Sequence, residues 1–343
     1  MTGTREDVYA AAQDHYTSAS RRDAVKILWE EPVTARIIGE AFQYAPARGD
    51  LRVVDIGCGT AEGLRLMLPL ARAASRTLRY TGLDLDARLL RLARAQFDGR
   101  SGTRFIEGDM RCDLPEEPAD VYFSCGVPYS HLRSDEMTET LSAIFRAVRR
   151  NRSRSTVVVD VLGRYSLEWE PYWESTRREY RMSFFNSGRP SAGTPMSFWD
   201  SQSLLTCVAQ AMRRAGSSFQ KVSFHDRSVM VGRHTSTRQY HPGLAPYREL
   251  INRLEAGDDT VAARELRFPA GVREAPQAVA AFHRRFAPQW DGEIARWCRG
   301  AEYVPAARAR SLAHALRTVE HRLAPGLGVG HSLTAVICLD HSG

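Results

Sequence analysis

The sequence predicts an α/β chain organised around a doubly wound, mostly parallel sheet of seven strands. Three observations support that class. Between residues 51 and 163, short β-rich runs alternate with segments of helical period, the pattern of βαβ units whose sheet is covered on both faces. The first run, "LRVVDIGCGTAEG" (51–63), ends on an acid and passes into small residues. Such a strand-to-helix turn lets a ligand lie against the backbone. Strong β character returns late, in "HSLTAVICLD" (331–340), which predicts that the last strand rejoins the sheet.

Taken in order, residues 5–46 read as helical, with apolar positions at helical spacing in "DAVKILWEEPVTARIIGEAF" and Pro32 opening a second helix. "LRVVDIG" is the first strand and "AEGLRLMLPLARAA" the helix after it. "LRYTGLDLD" is the second strand, followed by the helix "ARLLRLARAQF". "TRFIEGDM" and "ADVYFSCGVPY" are the third and fourth strands. The helix "DEMTETLSAIFRAVRR" leads to the fifth strand, "STVVVDVLG". The alternation breaks after Gly163. Residues 164–199 are rich in aromatics, "SQSLLTCVAQAMRRAG" is helical, and "FQKVSFHDRS" is a strand. Residues 240–325 look mainly helical and polar, an insertion before the last strand. The expected organisation is an N-terminal helical cap (1–46), a core (47–235) with an insertion at 164–199, and a helical insertion with the final strand (236–343).

At 343 residues and 43% hydrophobic, the chain can bury a sizeable core. No apolar run approaches the ~20 residues of a membrane span. The N-terminus is polar, carries acids early and lacks the basic-then-apolar layout of a signal peptide, so a cytoplasmic protein is expected. Six scattered cysteines show no CxxC and no Cys/His spacing suited to zinc, so neither a metal nor a disulfide framework is expected. The net charge of +7 is compatible with nucleic-acid binding, but Lys26 and Lys221 are the sole lysines among 47 basic residues. The arginines are spread along the chain and mixed with acids, as on a solvated surface rather than a phosphate footprint. A monomer and a homodimer are both compatible with the sequence.

The glycine stretch discriminates between ligands. A dinucleotide fingerprint needs a third glycine three residues after the second. Counting from Gly59 that residue is Glu62, whose carboxylate would face a pyrophosphate. The chain instead reads Asp55-x-Gly57-x-Gly59-x-Ala61. This resembles the first motif of class I S-adenosylmethionine-dependent methyltransferases, an acid followed by glycines at alternate positions, with Ala61 in place of the usual third glycine. An aspartate at a strand end is commonly a turn residue, but later motifs follow in the family's order. The resemblance covers roughly residues 50–235 and implies a Rossmann-like fold. It also implies that Asp84 accepts hydrogen bonds from the ribose hydroxyls, that Leu85 lies against the adenine, and that Asp109 accepts from the adenine amino group with Met110 packed on the ring. The stretch around Ser124, "ADVYFSCGVPYSHL", would lie along the methionine part of S-adenosyl-L-methionine, the product being S-adenosyl-L-homocysteine. Tyr16, in "DHYTSAS", resembles an N-terminal tyrosine that covers the cofactor's carboxylate.

The acceptor is expected to be a small molecule. The fourth motif reads Cys125-Gly126-Val127-Pro128-Tyr129, without the D/N-P-P-Y/F of base-amino methyltransferases. "GVPYSHL" looks more like stretches in enzymes acting on small amines, sugars and amino acids. Nine aromatics fall within residues 165–199, Trp169, Trp173 and Trp199 among them. Such a segment can line a pocket for a flat acceptor or form the core of a hairpin. Candidate bases are His131, Tyr129, His225, Asp226 and His234, with His131 preferred because it follows the fourth motif, since a neutral imidazole can take a phenol's proton as the methyl transfers. "SFHDRSVMVGRH", which contains Arg227, resembles a stretch in methyltransferases of actinobacterial secondary metabolism; Arg227 is taken as substrate-binding. The expectation is O- or C-methylation of an aromatic or amino-acid-like compound in natural-product biosynthesis. N-methylation of a small amine or sugar, RNA methylation, and NAD or nucleotide-sugar binding are the alternatives.

Overall fold

The computed structural model of the chain describes residues 19–47, 49–97, 99–152, 154–181, 193–270 and 275–340. Tyr16, Phe184 and Phe185 lie outside the described residues. A π-helical turn over Lys26–Glu30 runs directly into α1 (Glu31–Tyr44). As the sequence predicts, a helix opens at Pro32. The proline occupies the first turn of α1, where its missing N–H leaves no acceptor unpaired.

The alternating core follows: β1 (Leu51–Ile56), α2 (Glu62–Ala73), β2 (Leu78–Asp84), α3 (Ala87–Phe97), β3 (Thr103–Glu107), β4 (Val121–Phe123), α4 (Ser134–Asn151) and β5 (Arg154–Gly163). These five strands are parallel, in the order β3-β2-β1-β4-β5. Next come the hairpin strands β6 (Arg177–Tyr180) and β7 (Thr194–Trp199), then α5 (Ser201–Ala215) and β8 (Lys221–Arg227). The tail is helical: α6 (Arg233–Thr237), α7 (Tyr247–Ala256), α8 (Ala263–Leu266), α9 (Gln277–Cys298) and α10 (Ala306–Leu323).

The last strand, β9 (Ser332–Asp340), inserts between β5 and β8, antiparallel to both, from Leu162↔Ser332 to Arg154↔Asp340. The seven strands read from sequence thus form one sheet, and the β6–β7 hairpin extends it at the C-terminal end of β5, where Leu162 pairs with Phe198 and Gly163 with Trp199. The aromatic-rich segment therefore contributes two further strands.

The two-residue period of β5 feeds both faces. Val157, Val159 and Val161 pack with Leu141, Phe145, Leu204 and Val208, whereas Val158 packs with Ile37, Leu64, Met67 and Tyr80. A third cluster joins Trp29 to the helical tail through Tyr247, Phe286 and Trp290, and it also takes in Trp169, Trp173 and Phe198. The tail and the hairpin thereby cover the C-terminal edge of the sheet, where the loops after β1, β2, β4 and β5 meet.

Candidate active site

A cavity of about 550 Å³ opens at that edge. The turn after β1, the end of β2, the loop after β3, the loop after β4, the Lys26 turn and the β6–β7 hairpin all line it. At Gly57 (φ +68°) a Cβ would lie 2.5 Å from the Pro128 side chain, so only glycine lets this turn pack under the fourth-motif loop. Ala61 takes a left-handed conformation (φ 62°) at the start of α2. At Gly126 (φ +87°) a Cβ would meet nothing within 4 Å; the space beside this cavity-lining backbone is open.

Asp84 ends β2 on the cavity wall. Its Oδ2 accepts from the Gly59 N–H at 2.7 Å and its Oδ1 from the Asp86 N–H at 2.9 Å. A carboxylate offers about four lone-pair sites, so each oxygen keeps capacity for a further donor. Burial raises the carboxyl's pKa, opposed by these two N–H groups. Leu85 beside it is 44% exposed and lines the cavity, as do Leu83 and Met110. The Asp109 carboxylate is gripped by Arg111, whose Nη1 also reaches Glu136 at 3.1 Å. Two vicinal hydroxyls against Asp84, and a flat ring between Leu85 and Met110, fit this wall.

The N-terminal segment closes over the glycine turn through charge. Arg21 Nη2 lies 3.1 Å from Glu62 and Lys26 Nζ 3.7 Å, while Lys26 also pairs with Glu30 at 3.3 Å. Arg65 and Arg22 pair with Glu31. Burial pushes the Glu30 carboxyl up, but Arg248, Arg233 and Lys26 outweigh it and hold the group well below its usual range. Cations and carboxylates alternate here, suited to a zwitterionic amino-acid group.

The fourth-motif loop is fastened from beneath. The buried Asp160 of β5 accepts from the Gly126 and Val127 N–H groups at 2.8 and 3.1 Å, and Arg227 Nη2 sits 2.9 Å from the same oxygen. Arg227 also donates to Thr34 and Ser332. Although it borders the cavity, its guanidinium is committed to this network.

Several residues read from sequence as site residues are placed elsewhere. Asp55 is buried beneath the turn and does not line the cavity; it accepts from the Tyr80 hydroxyl at 2.7 Å, and burial raises its pKa to about 7. Ser124 donates to Val158 O and accepts from Asp160 N, bracing β4 against β5. Tyr129 is wholly buried away from the cavity. His225 is half-buried against α1, 2.9 Å from Glu40, also outside the cavity. Trp169, Trp173 and Trp199 are core residues: the Trp169 and Trp173 indoles donate to the carbonyls of Gly163 and Ser166, and none of the three lines the cavity. The apolar packing of the hairpin and tail consumes these aromatics. His131 does line the cavity; burial and the nearby Arg177 lower its pKa to about 4.

Other cavity residues escaped the sequence reading: Lys26, Glu30, Arg177 and His331; of the aromatics in 165–199, Tyr180 alone lines the cavity among the described residues. Apart from the Lys26–Glu30 pair their contacts are distant in sequence, and His331 carried a single cue, a polar residue at the mouth of the last strand. Among the described residues, no His/Cys/Asp/Glu group suited to a metal occurs, and no helix is long and apolar enough to cross a membrane.

Residues 53–151 match a family described as "Methyltransferase domain". The chain is 34% identical over 76 residues to a trans-aconitate 2-methyltransferase of Rhizobium rhizogenes and 36% over 76 residues to one of Rhizobium etli. Each match spans 22% of this chain and 27% of the relative, so the similarity covers about a quarter of those enzymes. Among solved structures, the chain is similar to an S-adenosylmethionine dependent methyltransferase from Mesorhizobium loti (17% identity, 56% of this chain and 82% of that one, TM-score 0.38). It is also similar to CalS10 with bound SAM, an amino pentose methyltransferase from Micromonospora echinaspora involved in calicheamicin biosynthesis (17% identity, 66% and 94%, TM-score 0.39). The glycine turn and the Asp84 wall fall within the segment, residues 53–151, that matches the methyltransferase domain.

Proposed function

We propose that the chain methylates a small acceptor from S-adenosylmethionine, at oxygen or ring carbon of an aromatic or amino-acid-like compound. The resemblance of "SFHDRSVMVGRH" to enzymes of secondary metabolism suggests natural-product biosynthesis as its setting. The observation that carries the cofactor assignment is Asp84, whose two oxygens each hold one backbone N–H and retain acceptor capacity on the cavity wall. In this reading Gly57 and Gly59 allow close approach, Leu85 and Met110 sandwich the adenine, and Asp109 accepts from its amino group. The Lys26–Glu30–Glu62 cluster holds the amino-acid end.

Bound S-adenosylmethionine supplies a methyl group that is already activated. The chain's part is to align a nucleophile behind it and to exclude water. The hairpin residues Arg177, Tyr180, Thr194, Pro195 and Met196, with Leu132 and His131, supply the remaining wall for the acceptor. Calorimetric titration with S-adenosylmethionine and NAD side by side tests the cofactor: binding of the first alone is expected, and binding of NAD alone would overturn the reading. A mass-shift screen of aromatic acids, phenols and amines then identifies the acceptor class.

A further inference from the structure

Seven of the eight arginine and lysine side chains that line the cavity lie within ion-pair distance of a carboxylate. The eighth is Arg177, at the start of β6, and among the described residues no acid pairs with it. Its hydrogen-bond partner there is neutral: Nη1 donates to the Ser197 hydroxyl at 2.9 Å. The cavity is thus balanced in charge around the glycine turn, and carries one uncompensated cation in the wall left for the acceptor.

The hairpin sets the position of that cation. Arg177 stands directly opposite Ser197 in the β6–β7 ladder, where facing side chains reach one another. The buried Ser197 hydroxyl gives its own proton to Leu132 O at 2.7 Å, so it accepts from Arg177 and ties the guanidinium to the loop after β4. Leu132, Pro195 and Met196 add apolar wall. An arginine carries its Nε–H and one Nη2–H parallel along one edge, which matches the two oxygens of a carboxylate. Elsewhere in this chain that edge grips acids: Arg248 meets Asp23 with Nε and Nη2, both at 2.8 Å, and Arg22 meets Glu31 in the same way, both at 3.1 Å. In Arg177, Ser197 takes Nη1 on the other edge, and among the described residues no acceptor meets Nε or Nη2.

We propose that the acceptor carries a carboxylate, which Arg177 binds through Nε and Nη2 while the apolar part of the molecule lies against Leu132, Pro195 and Met196. The inference rests on the methyltransferase reading and narrows its acceptor to apolar or aromatic acids. The carboxylate serves as the anchor, and another atom of the acceptor faces the methyl donor. Arg177 therefore selects the substrate and takes no part in breaking or forming bonds. Ser197 is the positioning residue behind it. Burial, followed by the charge of Arg177, lowers the His131 pKa to about 4, so the imidazole beside the anchor is neutral at neutral pH and adds no second charge. Arg177 is exposed, so solvent screens the pair. A preference for the anion of about tenfold is expected, the low end for hydrogen bonds to a charged group.

The test compares matched acids and amides at neutral pH: 4-hydroxybenzoate, 4-hydroxyphenylacetate and 3-(4-hydroxyphenyl)propanoate, each against its primary amide. Each compound is titrated calorimetrically into enzyme saturated with S-adenosylhomocysteine, so that no turnover occurs. For at least one pair, wild type is expected to bind the acid about tenfold more tightly than the amide. Arg177→Gln should abolish that preference while leaving amide binding and S-adenosylmethionine affinity near wild type, a split that a merely structural role would not produce. Arg177→Lys keeps the charge, loses the parallel edge and should retain part of the preference. Wild type that prefers the acid in no pair, or binds none of the compounds, overturns the proposal. So does a folded Arg177→Gln variant that keeps the preference. If that variant does not fold, Arg177→Lys decides, and a preference equal to wild type overturns the two-pronged contact. Titration with S-adenosylmethionine separates the two levels: its failure to bind wild type counts against the methyltransferase reading, whereas intact binding without an acid preference counts against Arg177 alone.

Discussion

Arg227 Nη2 lies 2.9 Å from Asp160 Oδ2, and that same oxygen receives the N–H groups of Gly126 and Val127. One buried ion pair thus supports the loop expected to flank the methyl donor. Removing a single partner strands the other charge in the interior, which typically costs ~3–5 kcal/mol. Arg227→Met is expected to lose that much in urea denaturation and to weaken S-adenosylmethionine binding. The double variant with Asp160→Asn should recover part of the stability. A loss below ~1 kcal/mol for Arg227→Met would show that the pair does not hold the loop.

Asp84→Ala removes a charged acceptor facing the cavity. S-adenosylmethionine binding should weaken by ~1.5–3 kcal/mol in calorimetry. The Gly59 and Asp86 N–H groups also lose their partner, so the comparison is made on protein shown to be folded by circular dichroism. Unchanged affinity would remove Asp84 from the site.

Trp173 is 3% exposed, its indole donates to Ser166 O, and its ring meets Tyr165 edge-on at 5.7 Å. Trp173→Ala should therefore cost ~3–5 kcal/mol of stability and leave the cofactor affinity of the folded fraction near wild type. A stable variant with a raised acceptor KM would return Trp173 to the pocket.

Burial, followed by the charge of Arg177, lowers the His131 pKa from about 6.5 to about 4. The unfolded chain then binds the proton more readily than the fold, so stability is lost as pH falls from 6.5 towards 4. The full effect amounts to about 3 kcal/mol. Chemical denaturation across that range should show a steeper loss in wild type than in His131→Asn. Parallel pH profiles would mean that the imidazole is not desolvated.

Asp55 has the opposite sign. Its pKa is raised to about 7 by burial, with Asp84 adding to the rise against the Tyr80 hydrogen bond. The folded state keeps the proton that the unfolded chain releases above pH 4, so this group's contribution weakens as pH rises from 4 to 7. Asp55→Asn should flatten that part of the stability profile, and an unchanged slope would show the carboxyl to be ionised in the fold.

The strands and their order along the chain were legible because hydrophobic period and strand-end acids are local properties. Asp84, Leu85, Asp109 and Met110 line the cavity because each lies at, or within three residues of, the C-terminal end of a parallel strand, and that end faces the crevice. The same logic misplaced Asp55, Ser124 and Tyr129. Being next to a motif says nothing about whether a side chain turns toward the ligand or back into the core. Composition misled over Trp169, Trp173 and Trp199, since an aromatic cluster reads alike whether it lines a pocket or fills a hairpin core.

The sequence by itself determined the α/β class, the glycine turn and the carboxylate wall, because each part is legible within a single strand and the turn after it. Only the tertiary structure decided the acceptor end. His331 meets Glu168 across 163 positions and Arg227 meets Asp160 across 67. Those encounters exist because β9 inserts antiparallel between β5 and β8. Which distant residues become neighbours is set by strand pairing and packing of the whole chain, and no local pattern of side chains encodes it.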